Sequence, residues 1–178
     1  QDFKAALTYF RKMQSVASSQ EQINIARLGI LRCSYNLNQP KETIEIASQM
    51  LSDELISSEI REEALYNRAK AYIATQQYTL ALDDLQPICA EVRTAQGAEA
   101  KYLIAECHSN LNDLEQAEQE VMAFASMNTQ QQYWLAKALI LLSDINLNKG
   151  DDFQARQYLI TLQKKVIKKH NRFNLYGA

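Results

Sequence analysis

An all-α fold of about nine antiparallel helices is what this sequence predicts, and three observations predict it. Only four glycines and two prolines occur in 178 residues, while Ala, Leu, Gln, Glu and Lys abound, so local preference favours helix almost throughout and leaves little turn material for a sheet. One apolar stripe recurs five times at helical spacing. Small residues recur at two fixed offsets before it.

The repeat is anchored on Ala6, Thr43, Ala81, Ala117 and Ala155, in steps of 36 to 38 residues. Four residues after the anchors stand Phe10, Ala47, Leu85, Val121 and Leu159, and seven after stand Met13, Met50, Ile88, Phe124 and Leu162. This is the i, i+4, i+7 stripe of an amphipathic helix, so each anchor opens a buried helix face. Seventeen before the last four anchors come Ala26, Ala64, Ala100 and Ala138, and twelve before come Leu31, Ala69, Ala105 and Ser143. Each full unit therefore reads as two helices with a break between them, at "NLNQP", "TQQY", "NLNDL" and "NKGDD".

Taken in order, the predicted helices are 3–17, 20–37, 40–53, 58–75, 79–92, 96–111, 114–127, 130–149 and 152–169. Pro40 suits a first helical turn and Gly150 a helix C-terminus. Capping boxes are predicted at Ser18 with Glu21, Asp113 with Gln116, Thr129 with Gln132 and Asp151 with Gln154. The organisation is a single array: a half unit 1–18, full units 20–54, 57–93, 95–127 and 129–169, and a basic tail 170–178. The half unit supplies a second helix only, so Phe3, Leu7 and Phe10 are expected to lack a covering helix and to present an apolar face. The chain begins at Gln1 without an initiator Met, and it is read as a fragment of a longer chain.

A net charge of −2 and a pI near 5.8 lack the basic surface that nucleic acid requires. The longest apolar run, "YWLAKALILLSDINL", is broken by Lys137 and Asp144 and falls short of the roughly 20 residues of a membrane span. Cys33, Cys89 and Cys107 have no metal-ligand spacing. His108 and His170 have no Cys or carboxylate partner at ligand spacing, and no Ser-His-Asp ordering, nucleophile elbow or phosphate loop occurs. The sequence predicts neither an enzyme nor a metal or cofactor site. Lys164, Lys165, Lys168, Lys169 and Arg172 share one helical stripe, read as a solvated end that complements a helix dipole, with an acidic partner or a membrane surface as the alternative. Trp134, the single tryptophan, is read as a packing anchor.

The stretches "AKAYIATQQYTLAL" and "AECHSNLNDLEQAEQEV" resemble the tetratricopeptide repeat, a helix-turn-helix unit of about 34 residues. The pattern of that family, small, aromatic, small, apolar, falls on Ala69, Tyr72, Tyr78 and Ala81. Elsewhere the aromatic becomes Ser34, His108 and Asn146, and Thr43 replaces one alanine. The array looks like the degenerate, long-period ones of large bacterial repeat proteins, including those of the cell envelope, which points to a periplasmic or envelope location, with the cytoplasm as the alternative.

The resemblance implies a right-handed α-α superhelix whose first helices line a concave groove, and a non-catalytic scaffold that binds a protein or peptide segment there. The alternative is a structural segment of a longer solenoid that self-associates, or packs on an upstream domain, through its open first helix. The chaperone-tail carboxylate clamp of the family fails in this sequence: Asn67 fits one clamp position, but the others fall on Leu28, Arg32, Glu99 and Leu103. By the geometry of the family, residues eleven before the anchors point into the groove, and they are Arg32, Lys70, Glu106 and Asp144. On the same face four residues earlier lie Leu28, Tyr66, Tyr102 and Ile140, and Tyr35, Asn36, Asn110 and Asn148 lie near the helix ends. The expectation is an apolar floor whose charge changes sign once, orienting a ligand with its acidic end towards Arg32 and Lys70 and its basic end towards Glu106 and Asp144.

Overall fold

A computed structural model describes residues 2–127, 129–161 and 163. The described residues are helices and turns without a strand. They fall into two compact units, Gln1–Ile88 and Cys89–Ala178. Unit 1 holds α1 (Phe3–Val16), α2 (Gln20–Asn36), α3 (Pro40–Leu51), α4 (Ser58–Ala74) and α5 (Tyr78–Leu85). Unit 2 holds α6 (Ala95–Asn110), α7 (Leu114–Ser126), α8 (Gln132–Asn148) and a ninth helical stretch, 152–161. Helices α2, α4, α6 and α8 are the first helices of their repeats.

Within each unit consecutive helices pack on one another, and the first helices of successive repeats also meet, α2 with α4 and α6 with α8. Alanine makes that approach possible. Ala26, Ala64, Ala69, Ala81, Ala100, Ala105 and Ala117 are each at most 1% exposed, as expected of small side chains at close helix crossings. The core of unit 1 joins Leu7, Ile30, Leu31, Ile46, Met50 and Ala64, and Phe124, Ile104, Leu142 and Ile145 fill that of unit 2. Cys33 and Cys107 are buried, and burial raises both thiols above their usual value, Cys107 to about 12.

The turns inside the repeats share one backbone solution. Asn38, Gln76, Asn112 and Gly150, each five residues before an anchor, have φ of 55, 60, 61 and 80°. Each is followed by a residue whose N–H reaches back to the first helix: Gln39 to Ser34, Gln77 to Tyr72, Asp113 to His108 and Asp151 to Asn146, all at 2.8–2.9 Å. The left-handed residues bond in turn to Tyr35, Ile73, Ser109 and Leu147. This is the Schellman arrangement, which satisfies carbonyls that a helix end leaves open. The same four positions thus end one helix and let the next begin at once.

Several expectations are corrected. The helix predicted over 79–92 stops at Leu85 because Pro87 has no N–H and its ring would clash with the carbonyl four residues back. Ser19, not Ser18, caps α2, accepting from the Gln22 N–H at 3.2 Å, while the Gln22 side chain takes the Ser18 N–H at 2.9 Å. Thr129 caps no helix through Gln132. Its hydroxyl donates to the Val92 carbonyl at 2.6 Å, and Gln131 donates to the Arg93 carbonyl at 2.8 Å, so two side chains pin the loop before α8 to the loop before α6.

The apolar face expected to lie open at the start of the chain is partly covered inside unit 1. Leu7 is 3% exposed, and Phe3 and Phe10 are partly buried against the α2–α3 core. Gly29 makes the room: a Cβ on it would lie 2.4 Å from the Phe10 ring. The basic stripe Lys164, Lys165, Lys168, Lys169, Arg172, together with His170 and the tail 170–178, lies outside the described residues.

Candidate functional site

The residues proposed for the groove sit on the first helices, where the α2–α4 and α6–α8 contacts leave one face of each pair to solvent. In unit 1, Arg32 on α2 makes a two-point ion pair with Glu63 on α4, Nε to Oε1 at 2.6 Å and Nη2 to Oε2 at 2.8 Å. This bond holds the Arg32 guanidinium above its ordinary value. Lys70 Nζ lies 5.1 Å from the centre of the Tyr66 ring and 5.7 Å from that of Tyr35, and donates to the Tyr66 hydroxyl at 3.3 Å. Two tyrosines from adjacent helices thus flank one ammonium, a cation–π arrangement.

Unit 2 builds a larger aromatic group on α6 and α8. The Tyr102 and Trp134 rings stack with centroids 5.7 Å apart, and Tyr133 meets Trp134 edge-on at 4.9 Å. Lys137 Nζ stands 4.4 Å from the Tyr102 ring centre and 5.2 Å from that of Trp134. The Tyr102 hydroxyl donates to Glu106. Burial first, and the Glu106 carboxylate next, push the Tyr102 phenol well above its usual range. Ile140, Asp144 and Asn148 are exposed along α8.

The sequence-derived candidates therefore divide. Tyr35, Tyr66 and Lys70 come together in unit 1, and Tyr102 and Glu106 in unit 2. Asn67 and Tyr102 are each only 6% exposed: the Tyr102 ring lies on the first-helix face beneath Lys137 and Trp134. Leu28 is half-buried against the core. Asn36 and Asn110 donate their amide N–H groups to the Arg32 and Glu106 carbonyls of their own helices, at 2.7 and 2.8 Å, and both residues are exposed. The clean change of charge sign is diluted, because Glu63 stands among the cations of unit 1 and Lys137 among the anions of unit 2.

Glu63, Tyr133, Trp134 and Lys137 were missed by the sequence reading. The signal was present: Glu63 and Lys137 lie three residues before Tyr66 and Ile140 on the same helical faces. His108, in an aromatic slot of the repeat, has Nδ1 at 3.3 Å from Asp113 Oδ2. Among the described residues no group of His, Cys, Asp and Glu is arranged to hold a metal ion, and no helix is long and apolar enough to cross a membrane.

No family model and no curated protein matches the chain. Solved structures do. The crystal structure of MamA superposes with a TM-score of 0.75 at 18% identity, over 96% of this chain and 92% of that one. The nearly identical TPR-like repeats of a putative kinesin light chain from Podosopora anserina give 0.74 at 14% identity, over 95% and 89%. MamA 41-end from Desulfovibrio magneticus RS-1 gives 0.70 at 17%, over 91% and 84%. At these identities the likeness shows the fold alone: an all-α solenoid of the tetratricopeptide type.

Proposed function

We propose that this chain is a non-catalytic scaffold that holds protein or peptide segments against the exposed faces of its first helices, α2 and α4 in unit 1 and α6 and α8 in unit 2. The supporting observation is that both pairs place an aromatic–cation group across adjacent first helices, Tyr35–Tyr66–Lys70 in one and Tyr102–Trp134–Lys137 in the other. Aromatic side chains supply much of the energy at binding surfaces, and charge contributes mostly to orientation and encounter rate. Arg32 and Lys70 favour an acidic stretch on unit 1, and Glu106 and Asp144 a basic one on unit 2. Self-association through α1 is the weaker reading, since Leu7 is buried and Phe3 and Phe10 are partly buried within unit 1.

The test is selection of binders from a displayed random-peptide library on the whole chain, followed by titration of the selected peptides. Tyr35→Ala, Tyr66→Ala and Tyr133→Ala are expected to weaken binding about tenfold, the cost of an aromatic contact at an interface. Glu45→Ala, an exposed change on α3, is expected to leave it unaltered. The reverse pattern would overturn the assignment.

A further inference from the structure

Lys137 lies against two rings, as Lys70 does in unit 1, but its rings have a carboxylate, Glu106, at their rim. Arg11, Arg32, Arg68, Lys101 and Lys149 each reach a carboxylate at 2.6–2.7 Å. The Lys137 ammonium meets two ring faces, and among the described residues it has no carboxylate within ion-pair distance. Two repeats before it in sequence, the corresponding residue is Glu63, which closes on Arg32. The residue corresponding to Arg32 is Glu106. The pair is thus present in unit 2 with its signs exchanged, yet it stays open: Glu106 takes the Tyr102 hydroxyl through one oxygen, and its other oxygen has no donor among the described residues.

Two ring faces with a carboxylate at their rim make a receptor for a cation, and Lys137 is lying in it. We infer that the Tyr102–Trp134 rings and the Glu106 carboxylate are a site for a basic side chain of the partner, an arginine above all, which Lys137 fills until the partner displaces it. This rests on the scaffold reading, and it names the ligand class for the face of unit 2. Tyr102 is only 6% exposed, so a ligand reaches its face only where Lys137 swings away. A lysine on a flexible stem can do so. A guanidinium has reason to replace it, since its plane stacks on aromatic faces and its fork suits a carboxylate better than an ammonium does. Tyr133, 67% exposed and edge-on to Trp134, adds a wall for the aliphatic stem of the incoming side chain.

Trp134 is the single tryptophan of the chain, so its emission reports the site directly. The probes are N-acetyl-arginine amide and N-acetyl-glutamate amide at matched ionic strength, titrated into the whole chain. The arginine probe is expected to change the emission saturably. Removing the resident cation with Lys137→Gln is expected to tighten that binding about three- to tenfold, because a cation–π contact no longer has to be broken. Lys137→Arg, a better occupant, and Glu106→Gln should both weaken it. Circular dichroism checks that each variant is folded, and if Lys137→Gln is not, Lys137→Arg against the native chain decides. Tighter binding of the glutamate probe, equal or weaker arginine binding by Lys137→Gln, or no saturable change in any variant would overturn the cation site. If library-selected peptides still lose affinity on substitution of Tyr35 or Tyr66 while the arginine probe does nothing, the scaffold reading survives and this site does not. Failure of both removes both.

Discussion

Unit 1 closes its first helices with an ion pair, Arg32 on α2 to Glu63 on α4. Unit 2 carries Glu106 and Lys137 at the corresponding places with their signs exchanged, and turns both towards an aromatic group. Beneath that difference the units repeat each other closely. Ala26 and Ala100 are both fully buried, Cys33 and Cys107 both lie in the core, and Asn38 and Asn112 both take positive φ. Packing and backbone geometry dictate those positions, since a helix crossing tolerates only small side chains and a left-handed turn only a few residue types. The exposed face of the first helices is under neither constraint, and there the units diverge. That is where a scaffold can carry different partner specificities on one frame.

Breaking a shielded ion pair should give the largest effect and should separate the units. Arg68 on α4 grips Asp84 with two bonds of 2.7 and 2.8 Å, with side chains 20% and 5% exposed. In unit 2, Lys101 reaches Glu120 with one bond of 2.6 Å. Asp84→Ala is expected to cost about 3 kcal/mol, the low end for a broken buried pair because Arg68 retains some water, and Glu120→Ala less, by denaturant unfolding. Equal losses would mean that the second bond of the arginine contributes nothing.

Next come the helix crossings, where the units should agree. Ala26→Leu and Ala100→Leu are each expected to lower stability by about 2 kcal/mol, through overpacking at positions with no free volume. A loss in one unit alone would break the claim of a shared frame.

The turns give a smaller effect of opposite sign. Gln76 pays for a left-handed backbone that Gly150 adopts freely, so Gln76→Gly should raise the melting midpoint, by about 1 kcal/mol in stability. Asn38→Gly and Asn112→Gly should change it less, because asparagine already tolerates that region. The smallest effect belongs to the exposed pair. A double-mutant cycle on Arg32 and Glu63 should give a coupling of about 0.5 kcal/mol that falls with salt, and the same cycle on Glu106 and Lys137 a smaller one.

The frame was legible in the sequence because its causes are local or periodic. Alanines at fixed offsets and the apolar stripe after each anchor give the helices and their pairing, and "NLN" marks two of the four left-handed turns. Two misreadings are local, the end of α5 before Pro87 and the cap on Ser19 in place of Ser18, and the others come from contacts between residues far apart in the chain. Phe10 is partly buried because Gly29 admits its ring, and nothing near Phe10 in sequence says so. Thr129 looks like a cap until Val92 accepts its hydroxyl. Tyr102 reads as an outward residue on a helical wheel, yet Lys137 and Trp134, from another helix, enclose it. The aromatic–cation groups of the first-helix faces were only half legible for the same reason: each draws on two helices.

Carbene footprinting of the chain with and without a saturating selected peptide tests the central claim most directly, since it reports which side chains a partner shields. The account expects loss of labelling at Tyr35, Tyr66 and Tyr133 on the first helices, with Tyr9, 75% exposed on α1, and Glu45 on α3 unchanged. Shielding of Tyr9 and Glu45 with the three first-helix tyrosines unaffected would contradict it.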